Sequence, residues 1–237
     1  MRVLLVVHQY PPYRLGGTEV YTRNLATELA RRGHEPLVYF RADLDDRPFA
    51  AQEETLEGIR AHRVSAPLTG WRAHPLIEFY RTFCNPALER DFVDFLRREQ
   101  PDLVHFQHVM ALSARLLLLA RGLGFPTFLT LHDYWFICAN AQLIWPNTQV
   151  CQGKAGGLNC ARCALARFGG GPQTVLLRPV LAPLFLWRDR MVRRAAWAAA
   201  RWISPSHFLI GCYQQAGFPA DRLTFLENGL DLERLGS

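Results

Sequence analysis

The chain has 237 residues, 49% hydrophobic and 20% charged, a balance that excludes a disordered or fibrous protein and suits one large globular domain. Its 27 basic residues exceed the 21 acidic ones, giving a formal charge of +6, and every basic residue except Lys154 is arginine, so phosphates, nucleotide diphosphates and acidic lipid headgroups are the favoured partners. No apolar run reaches the length of a membrane-spanning helix, and the run at Val3 to Val7 is too short for a signal peptide; a cytoplasmic location is therefore expected, with the six cysteines acting as thiols or metal ligands.

Val3 to Val7 reads as a buried parallel strand. Thr18 to Arg32 is predicted as a helix, with Thr18 as N-cap and Gly33 as its stop. Leu37 to Phe40 is a second strand, residues 43–58 a polar surface excursion, and Ile59 to Val64 a third strand. Asn85-Pro86 opens a helix that places Leu88, Phe92, Phe95 and Leu96 on one face and stops before Pro101. Leu103 to Phe106 is a strand, Ala111 to Arg121 a helix and Pro126 to Leu131 another strand. An irregular segment rich in Cys, Asn and Gly then runs from His132 to about Gly171, too long to be a simple connection. Leu176 to Ala200 is helical, with bends expected at Pro179 and Pro183, and carries Trp187, Trp197 and several arginines. Trp202 to Ser204 is a strand, Phe208 to Ala216 a helix closed by Gly217, and Leu223 to Leu226 a last strand before the Asn228-Gly229 turn. Strands alternating with helices predict an α/β fold, a doubly wound parallel sheet of Rossmann-like type.

Gly16 and Gly17 sit where the first strand hands over to the first helix, with Glu19 just inside it. Exposed backbone amides beside a helix N-terminus suit a phosphate or a sugar hydroxyl. The spacing is not the GxGxxG of dinucleotide binding, and a tight turn alone would also explain two glycines. His105 and His108 close the strand at residues 103–106, and His132-Asp133 follows the next one; open parallel sheets bind ligands at that carboxyl edge. His105 reads as a histidine satisfied within the sheet, and His108, His132 and Asp133 as candidates to line a cleft. An Asp beside a His can orient its ring or accept a proton.

Cys138, Cys151, Cys160 and Cys163, spaced C-x12-C-x8-C-x2-C, could hold one tetrahedral ion, with structural zinc the first choice and an iron-sulfur cluster or free thiols the alternatives. Cys84 and Cys212 read as ordinary buried cysteines. The Arg- and Trp-bearing stretch from Arg178 to Trp202 reads equally as a peripheral membrane contact and as a packing helix with a solvated arginine face.

Five segments in order, Gly16-Gly17-Thr18-Glu19, Leu29 to Glu35, Asp102 to His105, Ser204-Pro205-Ser206 and Glu227 to Asp231, resemble the amino-terminal half of glycosyltransferase family 4, and the resemblance spans essentially the whole chain. It implies the GT-B fold and retaining transfer of a sugar from a nucleotide-diphosphate sugar to a glycan or lipid-linked acceptor. In this family the acceptor is held mainly by the first domain and the donor mainly by a second. Residues 1–237 would then be the amino-terminal domain with a Cys-rich insertion at 132–171, and Asn228, a candidate for substrate binding with Gly16, Gly17 and Glu19, would lie at the crossover to a donor-binding domain absent from this chain. The family often places a functional histidine at the position held here by Gln107, so the role passes to His108. Family 4 enzymes often act on lipid-linked or membrane-borne acceptors, so the resemblance also fits a cytoplasmic protein working at the inner face of the membrane. A non-catalytic module that needs a separately encoded donor-binding domain is the second reading. Nucleic-acid binding through the arginines is a minor third, which leaves the ordered motifs unexplained.

Overall fold

The computed structural model describes residues 1–43, 49–67, 75–145 and 149–229, so Leu230 and Asp231 of the last motif lie outside the described residues. Two compact units emerge: Met1–His132 with Ala195–Ser237, and Asp133–Arg194.

The first unit is built on an eight-stranded sheet. In chain order its strands are β1 (Arg2–Val7), β2 (Glu35–Arg41), β3 (Ala50–Leu56), β4 (Ile59–Ser65), β5 (Leu103–Phe106), β6 (Thr127–Thr130), β7 (Arg201–Ser204) and β8 (Leu223–Phe225). Their order across the sheet is β3-β4-β2-β1-β5-β6-β7-β8. All neighbours pair in parallel except β3, which runs antiparallel to β4. Within the parallel part, the strand order reverses direction between β1 and β5, the switch point of a doubly wound Rossmann-like sheet. The helices of this unit are α1 (Gly17–Arg31), α2 (Pro75–Arg81), α3 (Pro86–Glu99), α4 (Arg115–Gly122) and α7 (His207–Gln215), while α5 (Leu158–Arg167) and most of α6 (Arg178–Ala196) fall in the second unit.

Central position explains the apolar run of β1, because a strand covered on both faces has no solvent side to be polar on. Leu4, Leu5, Val6 and Val7 are all fully buried. Alternation then sorts β2: Val38 and Phe40 join the core under α1 with Tyr10 and Ala26, whereas Tyr39 turns to α3, its ring 5.1 Å from that of Phe92. The residues read as a polar surface excursion contain β3 instead. An outermost strand paired on one side needs few core residues, and Ala51, Gln52, Glu53 and Thr55 are exposed, so no hydrophobic period marks it.

Helix ends follow local chemistry. Asn85 Oδ1 accepts from the backbone N–H groups of Ala87 and Leu88 and so caps α3, which Gln100 closes in a left-handed conformation with φ of 47°. Ser206 caps α7 in the same way through Leu209 N. Thr18 is not the cap of α1; Gly16 holds that place without a side-chain bond, because the helix begins one residue earlier. Ala111, with φ of 63°, breaks the predicted start of α4, which opens at Arg115.

In the second unit, part of the segment expected to be irregular is helix α5, which lies between Gly156-Gly157 and Gly169-Gly170-Gly171. Gly157 precedes it with φ of +91°, and a Cβ there would meet the Ala182 carbonyl oxygen at 2.5 Å, so no side chain fits. Trp135, Phe136, Ala182, Phe185 and Val192 are buried together with a charged residue, Arg188, of which 1% is exposed. The Arg188 guanidinium lies 4.8 Å from the Trp135 ring centre and donates to the Trp135 carbonyl at 2.6 Å. Asp189 accepts from Arg188 at 3.2 Å and from the Lys154 ammonium at 2.6 Å, so the buried cation is paired as well as hydrogen-bonded. Among the described residues no helix is long and apolar enough to cross a membrane.

Candidate functional site

The switch point brings the carboxyl ends of β1 and β5 next to the N-terminus of α1. His8 directly follows β1, and its Nε2 lies 3.2 Å from Glu19 Oε1 in the first turn of α1. Glu19 is 4% exposed, and a Cβ on Gly16 would come within 2.4 Å of Glu19 Oε2. Gly16 is therefore constrained by the inward-folded carboxylate and not by backbone strain, since its φ of −150° is extended. Gly17 has open space around a Cβ position, so its backbone can be approached closely. No side chain caps α1, which leaves the amides of its first turn directed at the rim.

His108 lies across from His8, the ring centres 4.4 Å apart and the planes inclined at 57°. His108 is 3% exposed and accepts from Met110 N through Nδ1 at 3.4 Å, which in the neutral ring puts the proton on Nε2. Gln107 is fully buried, and its Oε1 is 3.0 Å from His132 Nε2. The edge of Tyr21 packs on His132 with ring centres 5.1 Å apart, and burial raises the Tyr21 phenol above its ordinary range. His105 stands apart from this group. Its Nε2 is 2.8 Å from Thr130 Oγ1, and desolvation lowers its pKa to about 4, so it is a neutral residue of the sheet.

Gly16, Gly17, Glu19, His108 and His132 thus share one rim of the sheet, joined by His8, Tyr21 and Gln107. The other two candidates from the sequence do not join them. Asn228 is exposed beyond β8, at the far edge of the sheet. Asp133 opens the second unit, where its Oδ1 accepts from Trp135 N at 2.8 Å. Sequence reasoning missed His8, whose position at the end of an apolar strand was its only signal. It also missed Arg41, which is 6% exposed at the end of β2. Arg41 is held by Asp43 through Nε at 2.9 Å and donates to the Ala111 carbonyl at 2.5 Å, tying β2 to the loop after His108.

The four cysteines of the second unit do not form a metal centre as placed. All are free thiols, and among the described residues no group of three or more His, Cys, Asp or Glu side chains converges to hold an ion. Asn140 occupies the space between two of them, its Oδ1 accepting from the Cys138 thiol at 2.9 Å and its Nδ2 donating to Cys163 Sγ at 3.3 Å. Cys151 Sγ faces the Gly153 carbonyl at 3.7 Å, and burial pushes the Cys160 thiol up to about 12. With no converging set of ligands among the described residues, this arrangement gives the zinc expectation no support.

Comparison with known proteins adds the lineage. No curated protein matches the sequence. Among solved structures, the catalytic domain of Starch Synthase IV from Arabidopsis thaliana, bound to ADP and acarbose, is 15% identical with a TM-score of 0.50, over 98% of this chain and 52% of that one. Anabaena Alr3699/HepE in complex with UDP and glucose is 14% identical with a TM-score of 0.47, over 98% and 46%. The apo lipopolysaccharide outer core galactosyltransferase WaaB is 12% identical with a TM-score of 0.49, over 98% and 46%. The chain spans about half the length of these structures, and the fold it shares with the starch synthase domain, the one of the three at a TM-score of 0.50, is of GT-B type. The sequence model described as Glycosyltransferase Family 4 matches residues 15–234, and the chain belongs to that family.

Proposed function

We propose that this chain is the acceptor-side half of a glycosyltransferase that moves a sugar, with retention, from a nucleotide-diphosphate sugar to a glycan or lipid-linked acceptor. The observation that carries this reading is the rim at the switch point, where Gly16, Glu19, His8, His108 and the Gln107–His132 pair meet beside an uncapped helix N-terminus. Such a rim can hold hydroxyls by imidazole and amide groups and can leave the first-turn amides of α1 to a phosphate or a sugar oxygen. Its contribution to catalysis is positioning. His108 and His132 orient the acceptor and the transferred sugar, Glu19 fixes His8 and the glycine turn, and the departing diphosphate takes the acceptor proton. Asp133, adjacent to His132 in sequence and with one oxygen already engaged by Trp135 N, is kept as a third candidate without a place at this rim.

Residues 1–237 are taken as this amino-terminal domain, with donor binding supplied by a second domain in the same or a separate polypeptide. The half-length match to the solved structures favours that division. The second unit supplies a peripheral contact with an anionic membrane: Phe168, Leu176, Val180 and Trp187 are 65%, 83%, 73% and 42% exposed among its basic residues.

The test is a transfer assay with a panel of UDP-, ADP- and GDP-sugars, run on the chain alone and together with a donor-binding domain, with product anomers read by NMR. Retained configuration is expected, and His108→Ala should lower kcat/KM by about 10²-fold. Inverted product or an unaffected His108→Ala enzyme overturns the reading. Turnover by the chain alone eliminates the division of labour between two domains.

A further inference from the structure

A cavity of about 490 Å³ lies away from the rim, on the flank of α1. Its walls come from three places: Arg23 and Thr27 of α1, Tyr10, Pro11, Pro12 and Leu15 of the loop after β1, and Thr55, Leu56, Glu57 and Ile59 around the β3–β4 turn. All belong to the first unit. Tyr10 is 1% exposed, yet among the described residues its hydroxyl has no hydrogen-bond partner, and neither has the buried Nε of Arg23. Two unmatched buried donors on residues that line one cavity are costly unless something bound beside them pairs with them.

The lining defines what that occupant is. Arg23 and Glu57 bring one charge of each sign, so a phosphate or carboxylate would gain one ion pair and meet one repulsion. Thr27, Thr55 and the Tyr10 phenol add hydroxyl groups, and Pro11, Pro12, Leu15, Leu56 and Ile59 add apolar surface. Burial, with Glu57 adding to it and Arg23 opposing it, raises the Tyr10 phenol, so that it keeps its proton and can donate. A sugar ring has this same composition, with C–H faces for apolar walls and hydroxyls for the charged and polar groups.

We propose that this cavity is a neutral-saccharide subsite, distinct from the rim and sized for one or two sugar units. It stands on its own lining and not on the transfer reaction. The loop from Tyr10 to Leu15 leads directly into Gly16, so an occupied cavity would brace the glycine turn, and Tyr10 already accepts through its carbonyl from Tyr13 N and Arg14 N at 3.1 and 3.2 Å.

The experiment is saturation-transfer NMR and calorimetry on the chain with glucose, galactose, mannose, maltose and lactose, with inorganic phosphate as the contrast. At least one sugar should bind. Tyr10→Phe should weaken it by about fivefold, the effect of one lost hydrogen bond. Thr27→Trp, which fills the cavity from α1, should abolish binding, and His108→Ala should leave it unchanged. No binding by any sugar, binding untouched by both Tyr10→Phe and Thr27→Trp, or preference for phosphate overturns the proposal. Because the readout is binding and not transfer, loss of the rim mechanism and loss of this subsite give separate results. Tyr10→Phe keeps the test informative if Thr27→Trp does not fold.

Discussion

The sheet-based unit and the Asp133–Arg194 unit divide the chemistry of the chain unevenly. Asp133–Arg194 carries Lys154 and seven arginines against only Asp133 and Asp189, so the whole excess of positive charge sits there, while the rest of the chain holds equal numbers of each sign. Their interiors differ as well. The sheet is centred on fully apolar β1, whereas the smaller unit packs around the cation of Arg188 on Trp135. A chain-wide charge of +6 therefore says nothing about the rim, where the candidate groups are histidines, an amide and one carboxylate. Its meaning is confined to the helical unit, where basic residues and exposed apolar side chains suit an anionic surface.

The largest expected effect would split the units apart. Arg188→Ala removes the partner of the Trp135 carbonyl and leaves Asp189 without one of its two cations, a loss of roughly 3–5 kcal/mol. Hydrogen exchange should show protection collapsing in α5 and α6 while β1 and β5 keep theirs; equal loss everywhere would mean that the two units unfold as one. Gly157→Ala acts on the same unit through a left-handed φ and a clash with the Ala182 carbonyl, and should cost about 1–3 kcal/mol by thermal unfolding. The charge contrast is tested next. Binding to vesicles containing phosphatidylglycerol should weaken by about fivefold for each of Arg193→Gln and Arg194→Gln, and fall with added salt. Equal binding to phosphatidylcholine vesicles would remove the electrostatic basis of the membrane contact.

The smallest effect belongs to the sheet unit. His62 is 5% exposed between Glu53, 2.6 Å from Nδ1, and Asp91, 2.9 Å from Nε2. Burial pulls its pKa down, but Asp91 and Glu53 outweigh burial and the net change is upward. A raised histidine stabilises the fold below its unfolded pKa of about 6.5, and that contribution disappears as pH rises through the folded value. Chemical unfolding across this window should show stability falling with pH in the native chain and a flatter profile in His62→Gln. A slope unchanged by the substitution would assign the pH dependence to other groups.

How much of this was legible beforehand depended on whether a residue's role was local. The parallel strands carried their own apolar runs, and α3 announced itself through Asn85-Pro86 and a repeating face. β3 was hidden because an outermost polar strand displays no strong period, and α5 because it is a short helix set between glycine-rich turns. At the rim, Gly16, Glu19, His108 and His132 could be chosen from strand ends and from family resemblance. His8 could not, since its distinguishing feature is Glu19, eleven positions away, and His108, a hundred positions away. The cysteine spacing misled for the same reason: sequence intervals state which thiols can approach one another, and only packing put Asn140 between two of them.

By itself, then, the amino-acid order determined the fold class, the family and the strand ends at which the candidate residues gather, because hydrophobic period, caps and glycine turns act over a few residues. Side-chain pairing was decided by tertiary structure alone. Which histidine faces which carboxylate, where a cavity opens beside α1, and how charge separates from the sheet depend on register and on the crossing of segments far apart in the chain, which no local pattern records.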